Sequence, residues 1–222
     1  MRIGPSSLYS SEVGFGFLSF RLLPSRFLLA AILLTSPVLS AQSRDPRDLA
    51  VGKLLVVPRE APDPRFAESV ILLVHYDRSS SLGLMINHRS TVSIARALHE
   101  LKQASKHPDP IFVGGPVETT GVMSLLRSRP APRDATRVLR NTYLLTSKQG
   151  LERALKASNS ADNLRVYVGY CGWTGGQLER EVRLGAWFIF EGKEDLVFDP
   201  KPDGLWPRLI GLTELEVAGL AR

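Results

Sequence analysis

Apolar and polar positions along this chain change their period several times, and each change marks an element. Ser69–Tyr76 (SVILLVHY) is apolar on both faces of an extended backbone, the pattern of a central strand covered on both sides. Lys53–Pro58 (KLLVVP) before it reads as a short strand ended by proline. Asp63-Pro64-Arg65-Phe66 then offers an N-cap residue followed by proline, the start of a helical turn. Asp77–Ser81 is a polar turn, and Leu82–Asn87 (LGLMIN) returns as the hairpin partner. In Thr91–Leu101, Ile94, Ala95, Leu98 and Leu101 fall at the helix period, which predicts an amphipathic helix capped by Thr91 or Ser93.

The second half continues the alternation. Pro110–Val113 is a short strand closed by Gly114-Gly115-Pro116, and Val122–Leu126 and Asn141–Leu145 are strands flanking the arginine-rich stretch Arg127–Arg140. Lys148–Ala157 has the period of a helix, and the tail carries a helix near Trp206–Leu212. The densest pattern is Val166–Phe188 (VYVGYCGWTGGQLEREVRLGAWF): an apolar strand, a glycine-rich turn, a short amphipathic helix and a second apolar strand. Hairpins mixed with helices, without repeats or long linkers, predict a single α+β domain rather than a regular doubly wound sheet.

The first 41 residues differ from the rest. Arg21 and Arg26 precede the apolar run Phe27–Leu34, and Pro37–Ala41 supplies small residues at a cleavage point, the three parts of a secretory signal peptide. The run is short of the roughly 20 apolar residues that a spanning helix needs. We therefore expect a signal peptide over 1–41, a polar linker over 42–49 and the domain over 50–222. This implies a periplasmic or secreted protein if the signal is used, and a cytoplasmic one otherwise.

Composition then narrows the chemistry. Of 222 residues 44% are hydrophobic and the formal charge is +6, and removing Arg2, Arg21, Arg26 and Glu12 with residues 1–41 leaves 25 basic against 21 acidic side chains, or +4. That excess is well short of a nucleic-acid-binding footprint. The lone cysteine, Cys171, excludes an intrachain disulfide. It is expected as a small buried hydrophobe, with a nucleophilic role the sharper alternative. His88 and His99 lie eleven apart and form no paired ligand spacing, so no metal or cofactor is expected.

Gly169, Gly172, Gly175 and Gly176 crowd the strand end and helix start. Gly172, Trp173, Gly175, Gly176 and Gln177 are the candidate ligand or anion contacts, since a helix N-terminus presents free N–H groups. The Walker lysine and the dinucleotide spacing are absent, so a packed turn held by Gln177 and Glu179 is the competing reading. Arg127, Arg129, Arg133, Arg137 and Arg140 concentrate charge; Arg129, Arg133 and Arg137 are the candidate nucleic-acid contacts, although Pro130 and Pro132 argue for a loop. His75 and Asp77 share a face at a strand end, and Trp173, Trp187, Trp206, Tyr167 and Phe188 read as packing or as an aromatic-lined cleft.

Taken in order, GKLLVVP, DPRFAESVILLVHY, LGLMIN, FVGGPV, VGYCGWTGGQLEREV with GAWF, and LVFD resemble the AlgH/YqgE-like family of bacterial proteins over about residues 50–212. The resemblance implies an α+β fold with a bent, partly split sheet forming a pseudo-barrel and helices packed outside. It implies no particular activity, and some members carry a transcriptional-regulator label. The chain departs from the family pattern at His75-Tyr76, in place of an acidic–His pair, and at Asn87-His88-Arg89, in place of Asn-Arg-Pro. The N-terminal segment is a third departure. Together these observations lead us to expect a non-enzymatic binding or regulatory module for a small ligand or protein. The alternatives are a weak hydrolase using Cys171 or His75/Asp77, and a DNA regulator if cytosolic.

Overall fold

The computed structural model describes residues 42–61, 63–157 and 160–220; the expected signal peptide, 1–41, lies outside them. Ten strands are described: β1 (Lys53–Val56), β2 (Val70–Tyr76), β3 (Ser80–Met85), β4 (Arg89–Ser93), β5 (Pro110–Val113), β6 (Val117–Arg127), β7 (Thr136–Arg137), β8 (Thr142–Leu145), β9 (Leu164–Thr174) and β10 (Phe188–Glu191). The helices are α1 (Ile94–Ala97), α2 (Lys148–Ala157), α3 (Gln177–Arg183), α4 (Glu194–Val197) and α5 (Leu205–Leu220). The strands run β10-β1-β2-β3-β9-β6-β8-β7 in one curled, half-barrel sheet, and the β4–β5 pair joins it through β5. The α+β single domain expected from the sequence is what forms.

β9 is where the sheet forks. β6 pairs along one edge, with Leu126 opposite Leu164 and Val122 opposite Val168. On the other edge β5 pairs in parallel at Tyr167 and Val168, and β3 pairs antiparallel from Cys171 to Thr174. Gly169, between these segments, has φ +69°, in the left-handed region where a side chain is strained. A Cβ there would sit 2.4 Å from the carbonyl oxygen of Gly115, and a Cβ on Gly114 would sit 2.3 Å from the oxygen of Gly169. The FVGGPV and VGYCG motifs thus interlock backbone to backbone, which explains why both are rich in glycine.

Strand alternation then divides the core. Odd-numbered β9 residues Tyr167, Cys171 and Trp173 enter an inner core with β1, β2, β3, β10, α3 and α5. Even-numbered Leu164, Val166 and Val168 face outward into a second core built with α1 and α2. β6 obeys the same rule, with Leu125 and Met123 inside and Leu126 and Val122 outside. Arg165 is buried at the inner side, its guanidinium 4.7 Å from the Phe112 ring centroid and donating to the carbonyls of Ile86 and Asp199. Burial pushes its pKa down from the usual arginine value.

Most expected elements are present, and four differ. Thr91–Leu101 forms helix only over Ile94–Ala97, because Arg89–Ser93 pairs with β5 and the Ser93 hydroxyl accepts from Arg96 N–H to cap the turn. β6 begins at Val117, before the expected Val122; a register shift lies between the two, and Glu118 has φ +45°. α4 was not anticipated, and α5 extends well beyond the expected Trp206–Leu212. The stretch 42–49, expected as a linker, docks instead: Ser43 pairs with Ile189 and Leu49 is buried, because a sheet edge next to β10 is open to receive it.

Candidate functional site

The glycine-rich turn sits where β9 passes into α3. Gly176 caps α3 with φ +73°. The side-chain oxygen of Gln177 accepts from Thr174 N–H at 3.1 Å and from its hydroxyl at 3.2 Å, so the polar groups of the turn bond to each other. Trp173 is buried, Gly172, Gly175 and Gly176 are exposed, and a Cβ on Gly175 would meet the Arg78 carbonyl oxygen at 2.5 Å. Glu179 accepts from the Tyr76 hydroxyl at 2.7 Å; burial and then this carboxylate push the tyrosine pKa up to about 12. Trp173 and Gln177 converge on a residue outside the candidate set, Glu181.

Glu181 organises the far side of the helix. One carboxylate oxygen accepts from both indole N–H groups, of Trp173 and Trp187, each at 2.9 Å, and the other accepts from the Gln177 amide at 2.9 Å. The two indoles meet edge-on at 6.2 Å, and Trp187 meets Phe66 edge-on at 5.6 Å. Beyond this stack, past the C-terminal end of α3, a cleft of about 400 Å3 opens between Val57, Phe66, Leu184, Ala186 and Trp187. Its acidic members are Asp63, paired with Arg65, and Glu181. Leu184 on its lip is 80% exposed. The aromatic wall was legible in the Val166–Phe188 pattern; Phe66 was read only as the end of a helical turn.

The other candidate residues are scattered. Arg129 donates to the Asn141 side-chain oxygen at 2.8 Å, and Arg137 in β7 lies 5.7 Å from the Tyr143 ring centroid. Arg133 faces a separate cleft beside α2, where Arg153 pairs with Asp134. The three arginines therefore lie on loops and a two-residue strand, not on a helix. Cys171 is buried within β9, its thiol donates to the Gly114 carbonyl at 3.5 Å, and burial pushes its pKa up to about 12, so it stays protonated. His75 meets Asp77 at 3.0 Å on the surface, and hydrogen bonds from Ser79 hold the Asp77 carboxylate down at about 2.

A polar knot lies where β2 begins; it takes in Asn87 and His88, which the sequence marked as a departure from the family pattern, and adds Ser69 and Glu68, which it did not. Ser69 hydroxyl and His88 Nε2 are 2.9 Å apart; Asn87 accepts from Val70 N–H and donates to the Glu68 carbonyl, each at 2.8 Å. Glu68 has φ +54°. Burial pushes the His88 pKa down, against the pull of Glu68 and Asp203. The pair resembles a Ser–His dyad, but Ser69 is fully buried, so its hydroxyl fastens β2 to the β3–β4 connection. Only its position before a strand could have marked it.

A curled, forked half-barrel whose two glycine motifs lock together defines a class of small α+β proteins with no recognisable catalytic apparatus in the described residues. The AlgH-like family (DUF179) matches residues 54–218, and the chain belongs to that family. A UPF0301 protein of Desulfotalea psychrophila is 35% identical over 156 residues, covering 69% of this chain and 81% of the relative. One from Streptomyces avermitilis is 31% identical over 176 residues, covering 77% and 90%. The solution structure of the AlgH protein from Pseudomonas aeruginosa superposes with a TM-score of 0.60 at 27% identity, over 72% of this chain and 86% of that one. A crystal structure of a Corynebacterium diphtheriae protein shares the fold, with a TM-score of 0.62 at 22% identity, over 73% and 86%.

Proposed function

We propose that this protein is a non-enzymatic binding module, and that the Phe66–Trp187 cleft receives a bulky apolar side chain of a partner protein flanked by a basic residue. The observation that carries this reading is Leu184, 80% exposed on the lip of an aromatic-walled cleft. Covering a leucine of this kind is worth about 2 kcal/mol, and Leu184 is not an isolated apolar residue but continues the wall formed by Val57, Phe66, Ala186 and Trp187. The cleft lining carries two carboxylates, Asp63 and Glu181, and no cationic side chain; Arg65 offsets Asp63 alone, so a neutral or cationic neighbour is favoured over an anion. The protonated, enclosed Cys171 and the enclosed Ser69 support binding over nucleophilic catalysis.

The test is a display screen of short peptides against the full protein, followed by titration of binders while the Trp187 indole N–H resonance is observed. Peptides with an aromatic or large aliphatic residue beside lysine or arginine are expected to shift it. Leu184→Asp and Phe66→Ala should abolish that shift. Selection of anionic peptides, or no displacement of the Trp187 signal by any binder, would overturn the reading. Export through residues 1–41 is proposed with it; N-terminal sequencing of the protein from its host should find a start at Ala41 or Gln42, and a start upstream of the Phe27–Leu34 run would refute it.

A further inference from the structure

On the outer face of the sheet, away from the cleft, a second cavity of about 270 Å3 lies between β6, β8, the first turn of α2 and the segment that follows α1. Its walls are apolar: Leu98, Leu101, Val122, Leu145 and Leu151. Ser124 interrupts them. It is fully buried, lies on the same strand face as Val122, stands opposite Leu145, and its hydroxyl has no hydrogen-bond partner. A buried hydroxyl without a partner is costly to keep, and Ser124 is among the residues that line this cavity. At the mouth, Ser147 satisfies two of the first N–H groups of α2, those of Gly150 and Leu151. That leaves the N–H groups of Lys148 and Gln149, with the Lys148 side chain beside them, at the positive end of a ten-residue helix. Glu100 at the mouth is exposed to solvent.

We infer that this cavity is a binding site for a small aromatic or branched monocarboxylate, its carboxylate at the N-terminus of α2 and a second polar group against the Ser124 hydroxyl. The volume exceeds the roughly 150 Å3 that holds a benzene ring. Lys148 lies three positions after Leu145, which stands opposite Ser124, at most about 10 Å of chain. The neighbouring Glu100 and a single lysine suit a monoanion better than a phosphate dianion.

The probes are 3-(4-hydroxyphenyl)propionate, whose polar ends are separated by a comparable span, 3-phenylpropionate, and the carboxamide of the first. Each is titrated into the full protein to millimolar concentration with backbone amide resonances observed. Both carboxylates are expected to shift Ser124, Lys148 and Gln149, and the carboxamide to bind roughly tenfold more weakly, as loss of a charge-assisted hydrogen bond implies. Ser124→Ala removes only an unpaired hydroxyl and should fold normally. It is expected to weaken the phenol roughly threefold to tenfold and leave 3-phenylpropionate unchanged. Equal binding of acid and carboxamide, shifts confined to the Phe66–Trp187 cleft, or no shift at all would overturn the assignment. Shifts confined to that cleft would also count against its proposed preference for cationic neighbours; the other two outcomes leave the peptide reading untouched.

Discussion

The two faces of β9 are buried by different means. The inner face belongs to a cluster of thirty-two buried residues, three of them its own, drawn from every part of the described chain from Leu49 to Ile210. The outer face belongs to a cluster of eleven, two of them its own, the rest mostly from α1, α2 and the turns beside them. Inner contacts join strands far apart in sequence, so they form together or not at all. Outer contacts depend on two short helices laid on a sheet already made. The difference predicts one cooperative unit inside and a weaker layer outside, with the carboxylate cavity in the weaker layer and the aromatic cleft on the stronger one.

The most severe way to break the comparison is at the strand both cores share. Gly169→Ala combines a strained φ with a backbone clash and should cost about 3–5 kcal/mol, lowering the urea midpoint of fluorescence and of far-ultraviolet circular dichroism together. Leucine truncations come next. Leu72→Ala in the inner core should cost about 4 kcal/mol and Leu151→Ala in the outer core about 2 kcal/mol. All three tryptophans belong to the inner core, so they serve as its probe. For Leu151→Ala the dichroism transition should precede the fluorescence one; coincident transitions would refute the weaker outer layer.

A kinetic contrast sharpens the same point. Native Cys171, whose thiol burial raises to about 12, should react with a thiol reagent only at the rate of global unfolding. In the background Cys171→Ala, a cysteine placed by Leu155→Cys should react faster through local opening of α2. The smallest effect expected is at the seam. A neutral His88 is favoured by burial, so its pKa in the folded protein lies below 6.5. Its contribution to stability is therefore complete above pH 6.5 and is lost as pH falls through the lowered value. His88→Gln should flatten that part of the urea-midpoint profile, and an unchanged profile would remove His88 from the account.

The pattern of apolar positions made the inner core more legible than the outer layer. Ser69–Tyr76 reads as a doubly covered central strand because both faces of Val70–Val74 are buried, with β1 and β3 as its neighbours in the sheet. Lys148–Ala157 is recovered residue for residue, since Leu151, Ala154 and Leu155 keep one helical face apolar. Thr91–Leu101 misleads because Ile94, Leu98 and Leu101 satisfy the helix period while Arg89–Ser93 is claimed by β5 and the Ile94 and Ala95 N–H groups donate to Asp109 and His107 carbonyls. At the cleft, Trp187 and Glu181 belong to the pattern that stood out. Phe66 reaches it across more than a hundred residues of chain, which local periodicity does not carry. Ser124 is not marked by the pattern at all; only the cavity that it lines gives it meaning.

The forked pairing of β9 also orders events in time. β3, β5 and β6 are all complete before Leu164 leaves the ribosome, yet each has an edge whose partner is β9. β2, β4 and β8 can already pair with their other edges, but until Thr174 has cleared the exit tunnel the growing chain holds three open strand edges that can only wait or pair wrongly, so the sheet is joined during synthesis of the last quarter.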